Sequence, residues 1–245
     1  MVRLVKGLRK KKILKKRTAV ERLKLLRAAS VPFFLVAIIV GLHSIRELLN
    51  QQWGLGVRPR SFEHIYGIMI HIFQHADFLH LLYNIVPIFF LLSLIRYLFW
   101  HVSTRLWMLM WGIQGFLLWV IGRPDSHHIG ASGLVYALVF FTFTTGLLME
   151  RRSMKALSLL TVFLYGGLIW GMIPLEGSSI SWEGHLAGAI SGIFVAMFYR
   201  RTLIRYYPEQ KFHADEEQKQ ISSNTNKKVG YGKRLPYQGD YRDEG

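Results

Sequence analysis

The sequence predicts an all-α membrane protein of several spans, and three observations lead there. Apolar residues make up 51% of the chain and gather into six long runs separated by short polar breaks. Such runs suit lipid-crossing helices rather than a soluble core. The net charge of +16 is concentrated at the ends of the chain and between the runs, where basic residues act as topology and headgroup signals. This distribution, together with the lack of any nucleic-acid motif, argues against a nucleic-acid surface. The chain has no cysteine, so a disulfide frame, a thiolate metal site and a cysteine nucleophile are all excluded.

Residues 1–27 form a basic N-terminal tail, with twelve Lys and Arg against the single acid Glu21. Its placement is cytoplasmic, solvated or bound to membrane lipids through their headgroups. The first apolar run leads into His43, Ser44 and Arg46 without a small-x-small cleavage site, which argues against a signal peptide. The spans are expected at 28–45, 78–99, 104–122, 132–149, 156–173 and 185–199, giving a membrane domain over 28–206. Beyond it, 207–245 is polar and rich in Gly, Asn and Lys, the composition of a disordered cytoplasmic tail.

Charge orients the spans. With the basic tail inside, Arg96 and Arg105, then Arg151, Arg152 and Lys155, and finally Arg200, Arg201 and Arg205 also fall inside. The outer connection 174–184 has no Lys or Arg, in agreement with positive-inside. The first outer connection, 46–64, carries three arginines, partly offset by Glu47 and Glu63. Spans two, four and six then all begin on the outer side. Their first turns carry HADFLHLLYN (75–84), GASGLVYA (130–137) and WEGHLAGAISG (182–192). Topology therefore brings the unusual polar residues of three spans to one depth.

Each of these features also has a plainer explanation. His80 and Asn84, four apart in span two, share one helix face and would serve as an interhelical hydrogen-bonding pair. Asp77 is placed as that span's N-cap. No His-Glu-x-x-His helix and no carboxylate at metal-ligand spacing appear, so no metal or other cofactor is expected. Gly130 and Gly133 around Ser132 suit close helix packing. Equally, they would open a serine to attack at a helix start, where free N–H groups suit an oxyanion. His185, with Gly188 and Gly192 on one stripe, would let span six approach Gly133 and Ala137 closely enough to reach Ser132.

The order and placement of these motifs resemble the rhomboid family of intramembrane serine proteases. The resemblance is carried by His75-x4-His80-x3-Asn84, by Gly130-Ala-Ser132-Gly133 with Tyr136, and by His185-x2-Gly188-x3-Gly192. It covers about 28–206 and implies a six-helix rhomboid-like bundle. It also implies a Ser132–His185 dyad without an acid and an oxyanion hole including His80, Asn84 and the Ser132 N–H. Tyr136 would pack on His185, and His75 would play a supporting role. The substrates implied are transmembrane proteins, cut in or near the outer end of a span, in a bacterial cytoplasmic membrane. A helical substrate must unwind to expose its carbonyls, so spans with Gly, Ala, Ser or Pro near the outer end are favoured. The eighteen residues from Ser132 to Met149 give roughly 27 Å of helix against a hydrocarbon core of about 30 Å. This sets the serine slightly below the outer surface.

One departure concerns the first outer loop. Where many members carry Trp-Arg, Trp53 is followed here by Gly54, which leaves the anchoring of that loop open. Glu183 lies two positions before His185 and points away from it on a helix, against a triad. The 174–184 loop has the composition of a lid. The alternative function is a catalytically silent rhomboid-like protein that binds or escorts membrane clients. Its usual mark, loss of the serine or the histidine, is absent. A transporter would show inverted repeats and midplane polarity, unlike this one-sided cluster.

Overall fold

The structure, a computed structural model, describes residues 2–51, 53–174 and 181–206; for 2–14, 16 and 17 it describes the helical backbone alone. The tail expected over 207–245 lies outside the described residues, as does most of the 174–184 loop. The described chain is helical apart from one isolated bridge, Val57 with His128. The helices are α1 (Val2–Leu48), α2 (Gly67–Ile70), α3 (Phe78–Leu98), α4 (Ser103–Ile121), α5 (Ser132–Leu148), α6 (Arg152–Tyr165), α7 (Trp182–Phe198) and α8 (Arg200–Tyr206). A 3-10 turn, His71–Phe73, follows α2, and a longer 3-10 segment, Gly166–Met172, continues α6.

Among the described residues, four segments are long and apolar enough to cross a membrane: Thr18–Leu48, Phe78–Leu98, Ser103–Ile121 and Arg152–Met172. The apolar helix α5 is shorter, at 17 residues. Large apolar side chains are abundant on the outside, among them Phe33, Phe34, Phe90, Phe163, Trp170 and Phe198. Such a surface is stable against lipid and unstable against water.

α5 occupies the centre, packed by α3, α4, α6 and α7, while α1 leans on α3. Its Leu134, Leu138 and Phe141 are fully buried against Ile88, Leu92, Leu106 and Met110. Small residues set the α5–α7 spacing. A Cβ at Gly188 would overlap the carbonyl oxygen of Gly133, and one at Gly192 would overlap that of Ala137. The backbones approach as closely as glycine alone permits.

Three local features differ from the sequence reading. The basic segment and the first span are one continuous helix, α1, because Lys, Arg and Leu are good helix formers, and Pro32 lies inside the helix without ending it. Span five starts earlier, at Arg152, and its C-terminal part tightens into the 3-10 segment. There Gly166, Gly167 and Gly171 weaken the α-helical preference. The connection between α1 and α3 holds α2 and a 3-10 turn, short elements without the long periodic run that signals a helix.

That connection is anchored without a Trp-Arg pair. Val57 exchanges backbone hydrogen bonds with His128, at 2.8 and 3.0 Å. The Arg60 side chain donates to the Val120 carbonyl at 2.8 Å, and the Leu55 N–H donates to the Gln74 side chain at 2.9 Å. Buried Arg46 reaches from α1 to the carbonyls of His75 and Ala76.

Candidate active site

The starts of α3, α5 and α7 meet at one end of the bundle around a cavity of about 720 Å³, lined by His80, Asn84, Ser132, Tyr136 and His185 among others. Asp77 caps α3 by accepting the His80 N–H at 2.8 Å, so the helix begins where the polar residues do. Ser132 is the first residue of α5, which leaves its backbone N–H without an intrahelical acceptor.

His185 Nε2 lies 3.0 Å from Ser132 Oγ. Its other ring nitrogen, Nδ1, lies 2.8 Å from the Gly171 carbonyl oxygen. A carbonyl only accepts, so Nδ1 carries the proton; in the neutral ring Nε2 is then an acceptor for the serine hydroxyl. The Tyr136 ring stacks on the imidazole, with centroids 4.1 Å apart and planes 8° from parallel. Its hydroxyl donates to the Leu168 carbonyl at 2.6 Å. The 3-10 segment thus supplies carbonyls to both rings. Gly171 stands in the last turn of that segment, where carbonyls have no intrahelical partner.

His80 Nδ1 faces the Ala76 N–H at 3.4 Å, an arrangement that leaves Nε2 to carry the proton. Asn84 is buried and donates to the His80 carbonyl at 2.7 Å. His75 is fully buried, with Nε2 accepting the Ala131 N–H at 3.3 Å, one residue before the serine. Gly130 has φ +102°, and a Cβ there would come within 2.6 Å of His80 Nε2. The glycine is therefore required by its backbone conformation and by the histidine beside it.

Glu183 is fully buried and paired with Arg123 at 2.5 Å. His185 Nδ1 is bonded to Gly171, so a carboxylate triad does not form. Among the described residues no group of three or more His, Asp or Glu side chains is placed to hold a metal ion. The sequence reading missed the Gly171 and Leu168 carbonyls, because a backbone acceptor leaves no residue-type signal. It also missed the rim formed by Arg123, Ser126 and His128. There burial pushes the pKa values of His127 and His128 down, keeping both rings neutral.

The class of protein so defined is an all-helical chain with several candidate membrane spans and a serine–histidine pair at the helix starts. The rhomboid domain model matches residues 63–202, more than half of the chain, and the chain belongs to the rhomboid family. It is 30% identical over 178 residues to uncharacterized proteins of Mycobacterium bovis and Mycobacterium tuberculosis, covering 66% of this chain and 72% of each relative. A Mycobacterium leprae relative, also uncharacterized, is 32% identical over 171 residues; the match spans 64% of its length. These relatives are bacterial.

Proposed function

We propose that this chain is an intramembrane serine endopeptidase that hydrolyses peptide bonds in or near the outer end of substrate transmembrane segments. The observation that carries the reading is the 3.0 Å contact between Ser132 Oγ and His185 Nε2, opening into a cavity within a rhomboid domain. In this mechanism His185 takes the serine proton while Oγ attacks the scissile carbonyl. The Nδ1 bond to Gly171 holds the ring in the tautomer that the transfer needs. The developing oxyanion is met by the Ser132 backbone N–H, His80 Nε2–H and the Asn84 amide, each aligned donor worth about 3 kcal/mol. His185 returns its proton to the leaving amine, and water then resolves the acyl-enzyme.

The reading includes the membrane layout. Six spans (α1, α3, α4, α5, α6 with its 3-10 extension, and α7) would form the membrane domain over 28–206. Both termini would be cytoplasmic in a bacterial cytoplasmic membrane, and the starts of α3, α5 and α7 would lie outside. The substrates are transmembrane proteins, which must unwind locally to expose a carbonyl.

The test is cleavage of a reporter transmembrane substrate by purified wild type, Ser132→Ala and His185→Ala. Cleavage by the wild type alone is the expected outcome, with fluorophosphonate labelling that needs both residues. Wild-type cleavage by Ser132→Ala would refute the assignment.

A further inference from the structure

Glu183 is a fully buried carboxylate that the serine–histidine chemistry does not use. It sits in the first turn of α7, two residues before His185. A buried charge persists only when paired, and its partner, Arg123, comes from the connection after α4. A second link joins the same two segments. Ser181 caps α7 by accepting the Gly184 N–H at 3.2 Å, and its Oγ lies 2.6 Å from His128 Nδ1. His128 Nε2 lies 2.6 Å from Ser126 Oγ, and that hydroxyl donates to the Arg123 carbonyl at 2.6 Å.

One assignment of protons satisfies every link. Ser126 gives its hydroxyl proton to the Arg123 carbonyl and so accepts from His128 Nε2–H. His128 Nδ1 then accepts the Ser181 hydroxyl proton, which leaves the Ser181 oxygen to cap Gly184. The path runs from α7 through Ser181, His128, Ser126 and Arg123 and returns to α7 through Glu183. It is a closed ring, braced from outside by the Val57–His128 backbone pair. The glycine stripe at Gly188 and Gly192 sets how near α7 lies to α5, but a stripe of glycines alone resists axial sliding weakly.

We propose that this ring is a positioning device for the dyad: Glu183, Arg123 and His128 hold the first turn of α7 at the rotation and height that put His185 against Ser132. The proposal rests on the protease reading above, and its test separates the two. The full chain is purified as wild type, Ser132→Ala, Glu183→Gln, Arg123→Gln, the double variant combining Glu183→Gln with Arg123→Gln, and Arg123→Lys. Two things are measured: kcat and KM on the reporter substrate, and amide hydrogen exchange of peptides covering 181–190.

Because sub-ångström misplacement of a base is costly, kcat should fall about tenfold or more in Glu183→Gln, with KM within about twofold. The double variant should lose no more than the worse single, since both remove the same pair. Arg123→Lys should keep most of the activity, and exchange at the start of α7 should rise in each Gln variant. Four outcomes overturn the proposal: unchanged kcat in Glu183→Gln, a loss confined to KM, additive losses in the double, or unchanged exchange. A KM-only loss in Arg123→Gln would instead make that arginine a substrate contact. If wild type cleaves no better than Ser132→Ala, the protease reading fails. The exchange data then decide the ring by themselves.

Discussion

Replacing Gly188 by alanine adds one methyl group to the tightest contact between α5 and α7, and its effect follows from the geometry. The new Cβ would overlap the Gly133 carbonyl oxygen and stand 2.9 Å from Tyr136 Cβ and 3.0 Å from the Gly133 carbonyl carbon. Two of these neighbours are backbone in the first turn of α5 and cannot rotate aside. α7 must therefore move away by about an ångström to regain ordinary van der Waals separation. The His185–Ser132 contact would open from 3.0 Å to roughly 4 Å, beyond hydrogen-bond range. A displacement of that size costs on the order of 100-fold in rate, and the overpacking costs about 1–3 kcal/mol of stability. Gly112→Ala is the matched control: nothing lies within 4 Å of its added Cβ, so it should gain up to about 1 kcal/mol as a better helix former. Reporter cleavage and thermal melts in detergent read both effects. If Gly188→Ala cleaved at the wild-type rate, the argument that glycine packing sets the serine–histidine distance would be wrong.

Two further outcomes follow from the same contacts. Tyr136→Phe keeps the ring stacked on His185 and loses only the bond to the Leu168 carbonyl. It should cost about 1 kcal/mol of stability and less than tenfold in kcat, whereas Tyr136→Ala should cost far more; equal losses in the two variants would show that the stack does not matter. The folded-state pKa values of His127 and His128 lie below the ordinary 6.5, so the unfolded chain binds protons first as pH falls. Thermal stability should therefore decline as pH drops below about 6.5, and a flat melting temperature between pH 7.5 and 5 would contradict the burial of these rings.

Helical membrane character was legible in the sequence because lipid permits few solutions. A long apolar run must close its own backbone hydrogen bonds, so hydropathy alone reports a helix. The helix ends were readable to within a few residues wherever a local signal marks them, as Asp77 marks the start of α3. The adjacency of His80, Ser132 and His185 at one end of the bundle followed from topology, since three same-direction helices begin there.

Other features lay beyond local signals. The tightening of 166–172 into a 3-10 segment depends on weak glycine preferences competing with tertiary packing. That segment presents the Gly171 and Leu168 carbonyls to His185 and Tyr136. The anchoring of the first connection passes through Arg46, Val57, Arg60 and Gln74, whose partners lie far along the chain, 60 residues away for Arg60, so no window along the sequence could reveal it. Glu183 shows the division most plainly. The helical turn alone told that it points away from His185. That it is buried, and that Arg123, Ser126, His128 and Ser181 close a ring around the start of α7, was decided only when the α4–α5 connection folded against that helix. Sequence determines periodicity and direction through local sterics and the demands of lipid. The partners of a buried charge are set by whichever distant segments the packing brings within hydrogen-bond reach of it.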